Sequence, residues 1–386
     1  MKKITIVLLA LFTAFIVIRL VGPAMLERRM NVVLPHAPYT ITPEARALHA
    51  SLFVADLHSD SLLWRRNLSR HSDRGQMDLP RLREGNVALQ VFSATTKSPA
   101  GQNYASNTGD SDRITLLAAL QGWPIKTWGS LMARAQYQLD KLHKLVAEQS
   151  NGLVLVRTKG EFEQLLLARE QGEAVMGAMY LIEGGHPLEG KLENLDELQR
   201  RGLHFVGMTH FFDNALAGSL HGQSGAGLTG FGRAVVARAE ELKMTVDIAH
   251  VSPAAVRDIL AQSNRPVILS HGGFKGVCDT DRNLSDDLMV EVAQAGGLIG
   301  VGYWDGAVCN ASPLGVVRSI RYGIDLLGLS HVALGSDYDG TVATRFDTSE
   351  LAVLTQTMLD EGFTEAEIRA VMGENVKRFL LDQLPE

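Results

Sequence analysis

Apolar residues in this chain gather in short unbroken runs rather than in alternation or in long helical stripes. From Pro43 onward eight such runs recur: Phe53–Leu57, Val87–Phe92, Ala174–Ile182, His204–Met208, Thr245–Ala249, Val267–Leu269, Leu298–Val301 and Val332–Leu334. Runs of this length fit parallel strands buried on both faces. Several of the intervening segments carry helix signals. Asp78–Asn86 (DLPRLREGN) reads as a short helix ending near Gly85, and Ser252-Pro253 opens AAVRDILAQ, which stops before Asn264-Arg265-Pro266. Ser285 precedes DDLMVEVAQA, which has two acids in its first turn and Gly296-Gly297 at its end, and Ser312-Pro313 opens a helix through Leu327. A serine cap accepts from an amide that the first turn leaves unbonded, and Pro at the first helical position gives up no hydrogen bond. Strand and helix alternating eight times predict an α/β fold, a (β/α)8 TIM barrel, with an open doubly wound sheet as the alternative.

Two stretches depart from this rhythm. Ser93–Gly172 begins as a loop rich in Ser, Asn, Thr and Gly and continues as a long helix around Ser130–Glu148; it reads as an excursion that shapes the barrel mouth. At the other extreme, Lys2 and Lys3 precede Ile4–Ile18, which holds no charge, and Arg19 ends the run. This predicts an N-terminal hydrophobic helix, a signal-anchor or signal peptide within residues 1–30, then a linker over 31–42 and one barrel domain over 43–386. Val21-Gly22-Pro23-Ala24 is only a weak cleavage site, so the expectation is an uncleaved anchor with the remainder exported. That places the protein at a bacterial-type inner membrane, facing the periplasm or the cell exterior, although Arg19, Arg28 and Arg29 beyond the run blunt the charge argument for orientation.

The composition, 386 residues with 46% hydrophobic and 21% charged, supports a large buried core. A net charge of -6 leaves no basic excess to neutralise phosphates, so nucleic acid is not an expected partner. Two cysteines, Cys278 and Cys309, either pair after export or remain inert thiols.

The residues at the C-terminal end of each run change the picture most. The first run delivers His58 and Asp60, the third Glu183, the fourth His210, the fifth His250, the sixth His271 and the eighth Asp337. Six of eight strands thus end in ionisable ligand-type side chains, at the barrel face where active sites lie. Any one of these histidines alone is better read as a satisfied core residue, and either acid as a cap or turn. Taken together they would crowd acids and imidazoles around one axis at a large desolvation and like-charge cost unless a cation were present. His58, Asp60, Glu183, His250 and His271 make five ligands, enough for two metals if one carboxylate bridges, and Glu183 lies between the two groups in chain order. A metal pair about 3.5–4 Å apart would share an activated hydroxide. His210 and Asp337 are then left to stabilise charge and carry protons. His186 and His204 fall off this register, and His71, His143, His221 and His331 read as surface or loop residues. Arg282 either anchors a substrate carboxylate through its planar fork or pairs at the surface with Asp279 or Asp286.

With these residues in place, the chain from about Pro43 to its C-terminus resembles the zinc-dependent membrane (renal-type) dipeptidases, metal-dependent hydrolases of the amidohydrolase superfamily. The motifs are DLHSD (Asp56–Asp60), DLPRLREGNVALQVF (Asp78–Phe92), IEGGH (Ile182–His186), GMTHFFDN (Gly207–Asn214), VDIAHVS (Val246–Ser252), ILSHGG (Ile268–Gly273), DRNLSDD (Asp281–Asp287) and GSDYDG (Gly335–Gly340). The resemblance implies two zinc ions per chain, one on His58 and Asp60 and one on His250 and His271, bridged by Glu183. It implies that His210 contacts the substrate and its developing oxyanion, that Arg282 holds the C-terminal carboxylate, and that Asp337 is the proton carrier. It places Cys278 and Cys309 where family members have a disulfide. The animal enzymes are held by a C-terminal lipid anchor; the sequence here ends in LLDQLPE, so the N-terminal segment is expected to serve for membrane attachment.

The expected function is therefore hydrolysis of dipeptides to free amino acids by a metal-bridging hydroxide, with tolerance for a D-residue at the C-terminal position implied by the family. A cyclic-amide or lactone hydrolase on the same metals, or an inactive anchored binding protein, are the alternatives. Zinc over manganese or cobalt rests on the family, since these ligands accept either. A homodimer is compatible with the sequence.

Overall fold

In a computed structural model, residues 19–148 and 152–386 are described. All eight runs are strands: β1 (Val54–Ser59), β2 (Val87–Thr95), β3 (Met176–Glu183), β4 (Leu203–Gly207), β5 (Thr245–Asp247), β6 (Ile268–Gly272), β7 (Leu298–Val301) and β8 (Val332–Leu334). They lie parallel in the order β2-β1-β8-β7-β6-β5-β4-β3, and β2 pairs with β3 to close the ring. Closure decides for the barrel over the open sheet. Every residue of these strands is buried, because helices cover the outer face while side chains fill the interior. One extra strand, Leu153–Leu155, pairs with the first half of β3, and β4 pairs with the second half.

The helices start where the capping residues indicate. Ser252 and Ser312 accept from the amides of Ala255 and Gly315, and Asp78 accepts from Arg81. Ser285 stands at its cap position without a side-chain bond. The excursion after β2 folds as helices Arg113–Gln121, Lys126–Gly129 and Leu131–Glu148. Buried Arg134 ties it to the end of β2: its guanidinium donates to the carbonyls of Thr96 (2.7 Å) and Thr127 (2.6 Å) and to Asp112 (2.6 Å). That clamp holds the excursion across the barrel mouth.

The apolar run Ile4–Ile18, with its expected hydrophobic helix, lies outside the described residues. Residues 19–30 form a helix, and no helix among the described residues is long and apolar enough to cross a membrane. Beyond it, Val32–Val33 pairs in parallel with Ala343–Thr344, past the end of β8. Cys278 and Cys309 form a disulfide joining the loops after β6 and β7, the pairing that the family resemblance implied.

Candidate metal centre

Parallel strands of a closed barrel end at one rim, so residues at their C-terminal ends converge whatever their separation in sequence. His58 lies on β1 and Asp60 directly after it; Glu183 ends β3; His271 lies on β6; His210, His250 and Asp337 each stand three residues past β4, β5 and β8. The structure brings all seven together. His58 Nε2 is 3.8 Å from Asp60 Oδ1, 3.7 Å from Glu183 Oε1 and 3.9 Å from Asp337 Oδ1. Glu183 Oε1 is also 3.3 Å from His250 Nε2 and 3.4 Å from His271 Nε2, while its Oε2 is 3.4 Å from His210 Nε2. Three clusters result: His58, Glu183 and His271; Glu183, His210 and His250; and His58, Asp60 and Asp337. Glu183 belongs to two of them, the position a bridging carboxylate takes.

Backbone strain accompanies this placement. His250 (φ 63°) and Asp337 (φ 58°) sit in the left-handed region, where His and Asp are tolerated better than most residues but still at a cost. Gly207 has the opposite role. A Cβ there would lie 2.5 Å from the carbonyl oxygen of Ile182 and 3.3 Å from Glu183 Cα, so only glycine lets β4 approach β3 beside the central carboxylate.

A polar layer beneath the rim fixes the rings. Ser270 Oγ donates to Asp247 (2.6 Å) and lies 2.9 Å from His271 Nδ1 and 3.3 Å from His58 Nδ1. Ser336 Oγ lies 2.5 Å from Asp56 Oδ2, and its amide donates to Asp56 Oδ1. Thr95 Oγ1 is 2.7 Å from Glu183 Oε2 and 3.0 Å from Asp60 Oδ1, a contact set by the register that pairs Thr95 with Glu183. These groups support His58, His271, Asp60 and Glu183 from beneath, the usual arrangement around a metal site, while His250 Nδ1 has no hydrogen-bond partner among the described residues.

The donor set fits a divalent cation. His58 Nε2 is buried without a hydrogen-bond partner and aims into the acids. Burial, reinforced by the Arg282 and histidine charges, holds His250 and His271 well below the ordinary imidazole range, so both present neutral, metal-binding rings; their Nε2 atoms are 3.0 Å apart. Burial opposes a charge on His58 too, but Asp60, Glu183 and Asp337 outweigh it and push it up to about 10. Burial, with Asp60 and Glu183 adding to it, lifts Asp337 well above the usual carboxylate range. A proton is here compensating charge that a cation would otherwise balance.

A profile of the membrane dipeptidase family (peptidase family M19) matches residues 42–383. The chain belongs to this family. Membrane dipeptidases hydrolyse peptide bonds, and the membership makes this chain a metal-dependent dipeptidase, as the motifs implied. Relatives include the dipeptidase aclJ of Aspergillus oryzae (26% identical, covering 98% of this chain and 87% of that protein) and the dipeptidase verJ of Clonostachys rogersoniana (27%, 80% and 76%). Among solved structures, a metallopeptidase from Rhodobacter sphaeroides, liganded with a phosphinate mimic of the dipeptide L-Ala-D-Ala, superposes with a TM-score of 0.72 (22% identical, covering 86% of this chain and 99% of that one). The probable dipeptidase PvdM from Pseudomonas aeruginosa gives 0.72 at 18% identity, covering 88% and 97%.

Beside these clusters, Arg282 is buried and makes no surface ion pair among the described residues. Its Nη2 donates to the carbonyl of His271 (2.8 Å), and its guanidinium lies 5.4 Å from the Trp304 ring. Asp279 faces Lys275, and Asp286 is engaged by Tyr322, so the alternative of a surface pair does not form. His221 also departs from expectation. It is on a loop but fully buried, with Nδ1 2.8 Å from the Tyr104 carbonyl and its ring 5.2 Å from that of His250. His186 and His204 are buried outside the three clusters, and burial drives both down to about 3.

Proposed function

We propose that this dipeptidase cleaves dipeptides with a free C-terminal carboxylate using two zinc ions, held by His58, Asp60, His250 and His271 with Glu183 between them. The observation that carries the reading is the convergence of four imidazoles and two further carboxylates with Glu183. Bound there, the metals would polarise the scissile carbonyl and lower the pKa of water.

The chain's own groups do the rest. Arg282, a buried guanidinium with donors to spare and no acidic partner within ion-pair distance among the described residues, receives the substrate carboxylate. His210 Nε2, at the rim beside Glu183, donates to the oxygen that gains charge. Asp337, at the rim with Oδ1 3.9 Å from His58 Nε2, takes the proton from the attacking water and returns it to the leaving amine. Acceptance of a D-residue at the C-terminal position is in keeping with the ligand of the Rhodobacter sphaeroides relative. Attachment to a membrane through the N-terminal segment is part of the same proposal.

The test is hydrolysis of a dipeptide panel, including L-Ala-D-Ala, by the full chain before and after chelation. Loss on chelation and return on adding zinc are expected. Activity indifferent to metal would contradict the reading.

A further inference from the structure

The metal-centre residues open into a cavity of about 540 Å³, a size typical of sites for ligands well above two small residues. Its two sides differ. Arg282 enters from the loop after β6, and in a closed ring of eight strands β2 stands directly across from β6. The opposite wall is accordingly built over β1 and β2. It is formed by Leu26 and Met30 of helix 19–30, Leu63 after β1, and Ile114, Leu117 and Leu120 of helix Arg113–Gln121. Arg113, at the exposed first turn of that helix, also reaches the cavity. Leu26 and Met30 pack on the cluster of Leu63, Trp64, Ile114 and Leu117, so these residues form one continuous apolar patch, beside which Ser98, Gln102, Asn103 and Tyr104 of the loop after β2 also line the cavity.

Helix 19–30 is not a loose stalk beside the site. Glu27 is 1% exposed and pairs with buried Arg66, which pairs in turn with Asp339, two residues from Asp337. Arg74 Nε reaches the second Glu27 oxygen at 2.8 Å, and Asn31 accepts from the Thr341 amide at 2.9 Å. The helix also lies outside residues 42–383, the portion that matches the family. Part of the cavity wall thus comes from a segment that precedes residues 42–383.

From this we infer that the β1–β2 wall is a specificity subsite, which selects dipeptides whose N-terminal residue carries a large apolar side chain. Leu26, Met30 and Leu120 are its determining residues. The inference rests on the dipeptidase reading with Arg282 as carboxylate anchor. A substrate held there, with its scissile carbonyl over Glu183, carries its N-terminal residue across the barrel axis and onto this wall. Apolar pockets discriminate by about 10–200-fold per methylene at best, which sets the scale.

The experiment is kcat/KM of the zinc-loaded full chain for Leu-Ala against Gly-Ala. The wild type should favour Leu-Ala by about tenfold or more. Leu26→Ala with Met30→Ala should cut that ratio about tenfold, through KM rather than kcat. Leu120→Trp, which fills the wall instead of emptying it, should penalise Leu-Ala more than Gly-Ala and serves if the double variant does not fold. A wild-type ratio near one, or variants that lower both substrates in equal proportion, overturns the subsite while leaving the dipeptidase reading intact. A wild type that cleaves neither peptide with zinc present overturns both.

Discussion

The two sides of the barrel mouth are built by different means. Around the axis, single residues gather at strand ends, and polar side chains beneath the rim hold several of them: Ser270 beside His271 and His58, Thr95 beside Asp60 and Glu183. Over β1 and β2 an apolar patch of the wall comes from three segments remote in sequence, helix 19–30, the turn after β1 and helix Arg113–Gln121. Chemistry in this fold is written in short motifs, because a strand end fixes both height and direction. The shape of the pocket is written in packing between segments, which leaves no motif.

The sharpest way to separate the two is to disturb one and read the other. Asp337→Asn removes the proposed proton carrier without touching the wall. It should lower turnover by about 10²–10⁴-fold with metal content retained; loss of metal would make Asp337 a ligand instead. Arg66→Met acts where the sides are joined, leaving the buried carboxylates of Glu27 and Asp339 without their shared partner. Removing one member of a buried ion network costs about 3–5 kcal/mol, to be read from the urea midpoint; a change below about 1 kcal/mol would show that helix 19–30 is not locked by this charge.

Thr95→Val probes the support of the axis alone. Thr95 steadies both Asp60 and Glu183, so metal affinity should fall about 10–100-fold while the Leu-Ala to Gly-Ala ratio stays with the wild type. The last effect is that of pH on stability. His186 and His204 are driven by burial from an ordinary value near 6.5 down to about 3. The unfolded chain therefore binds protons that the folded one excludes. Stability from these two residues is complete above about pH 6.5 and falls by about 1.4 kcal/mol per histidine per pH unit as pH drops toward 3. His204→Gln should flatten the slope of denaturation midpoint against pH; an unchanged slope would assign the acid sensitivity elsewhere.

Much of this is legible in the sequence. All eight strands, the serine caps before Pro253 and Pro313 and the helix Leu131–Glu148 follow from local pattern, since a continuous apolar run or a cap residue states its own structure. So do the seven residues at the rim, because alternation of strand and helix converts position in the chain into position on a ring. The features that cannot be read depend on register or on distant partners. Thr95 matters only because it is paired with Glu183, 88 residues away. Asp56 binds Ser336, 280 residues on. His221 reads as a residue of a polar loop, but Tyr104 and Phe211 enclose it. Residues 19–30 carry arginines and a glutamate that read as the flank of an apolar segment. Only the fold supplies Arg66 as the partner of Glu27. One further signal lies in the motifs themselves: Asp-x-His in DLH and Asp-x-x-His in DIAH repeat a carboxylate just before a ligand histidine, and both carboxylates belong to the polar layer under the rim.

Everything turns on Glu183 being shared by two ions. The most direct measurement is the metal content of the purified full chain by elemental analysis, wild type against Glu183→Gln, after saturation with zinc and removal of excess. The account predicts two zinc ions per wild-type chain and fewer than one in the variant. Two ions retained by Glu183→Gln, or a wild type that hydrolyses dipeptides with no divalent metal bound, would contradict it.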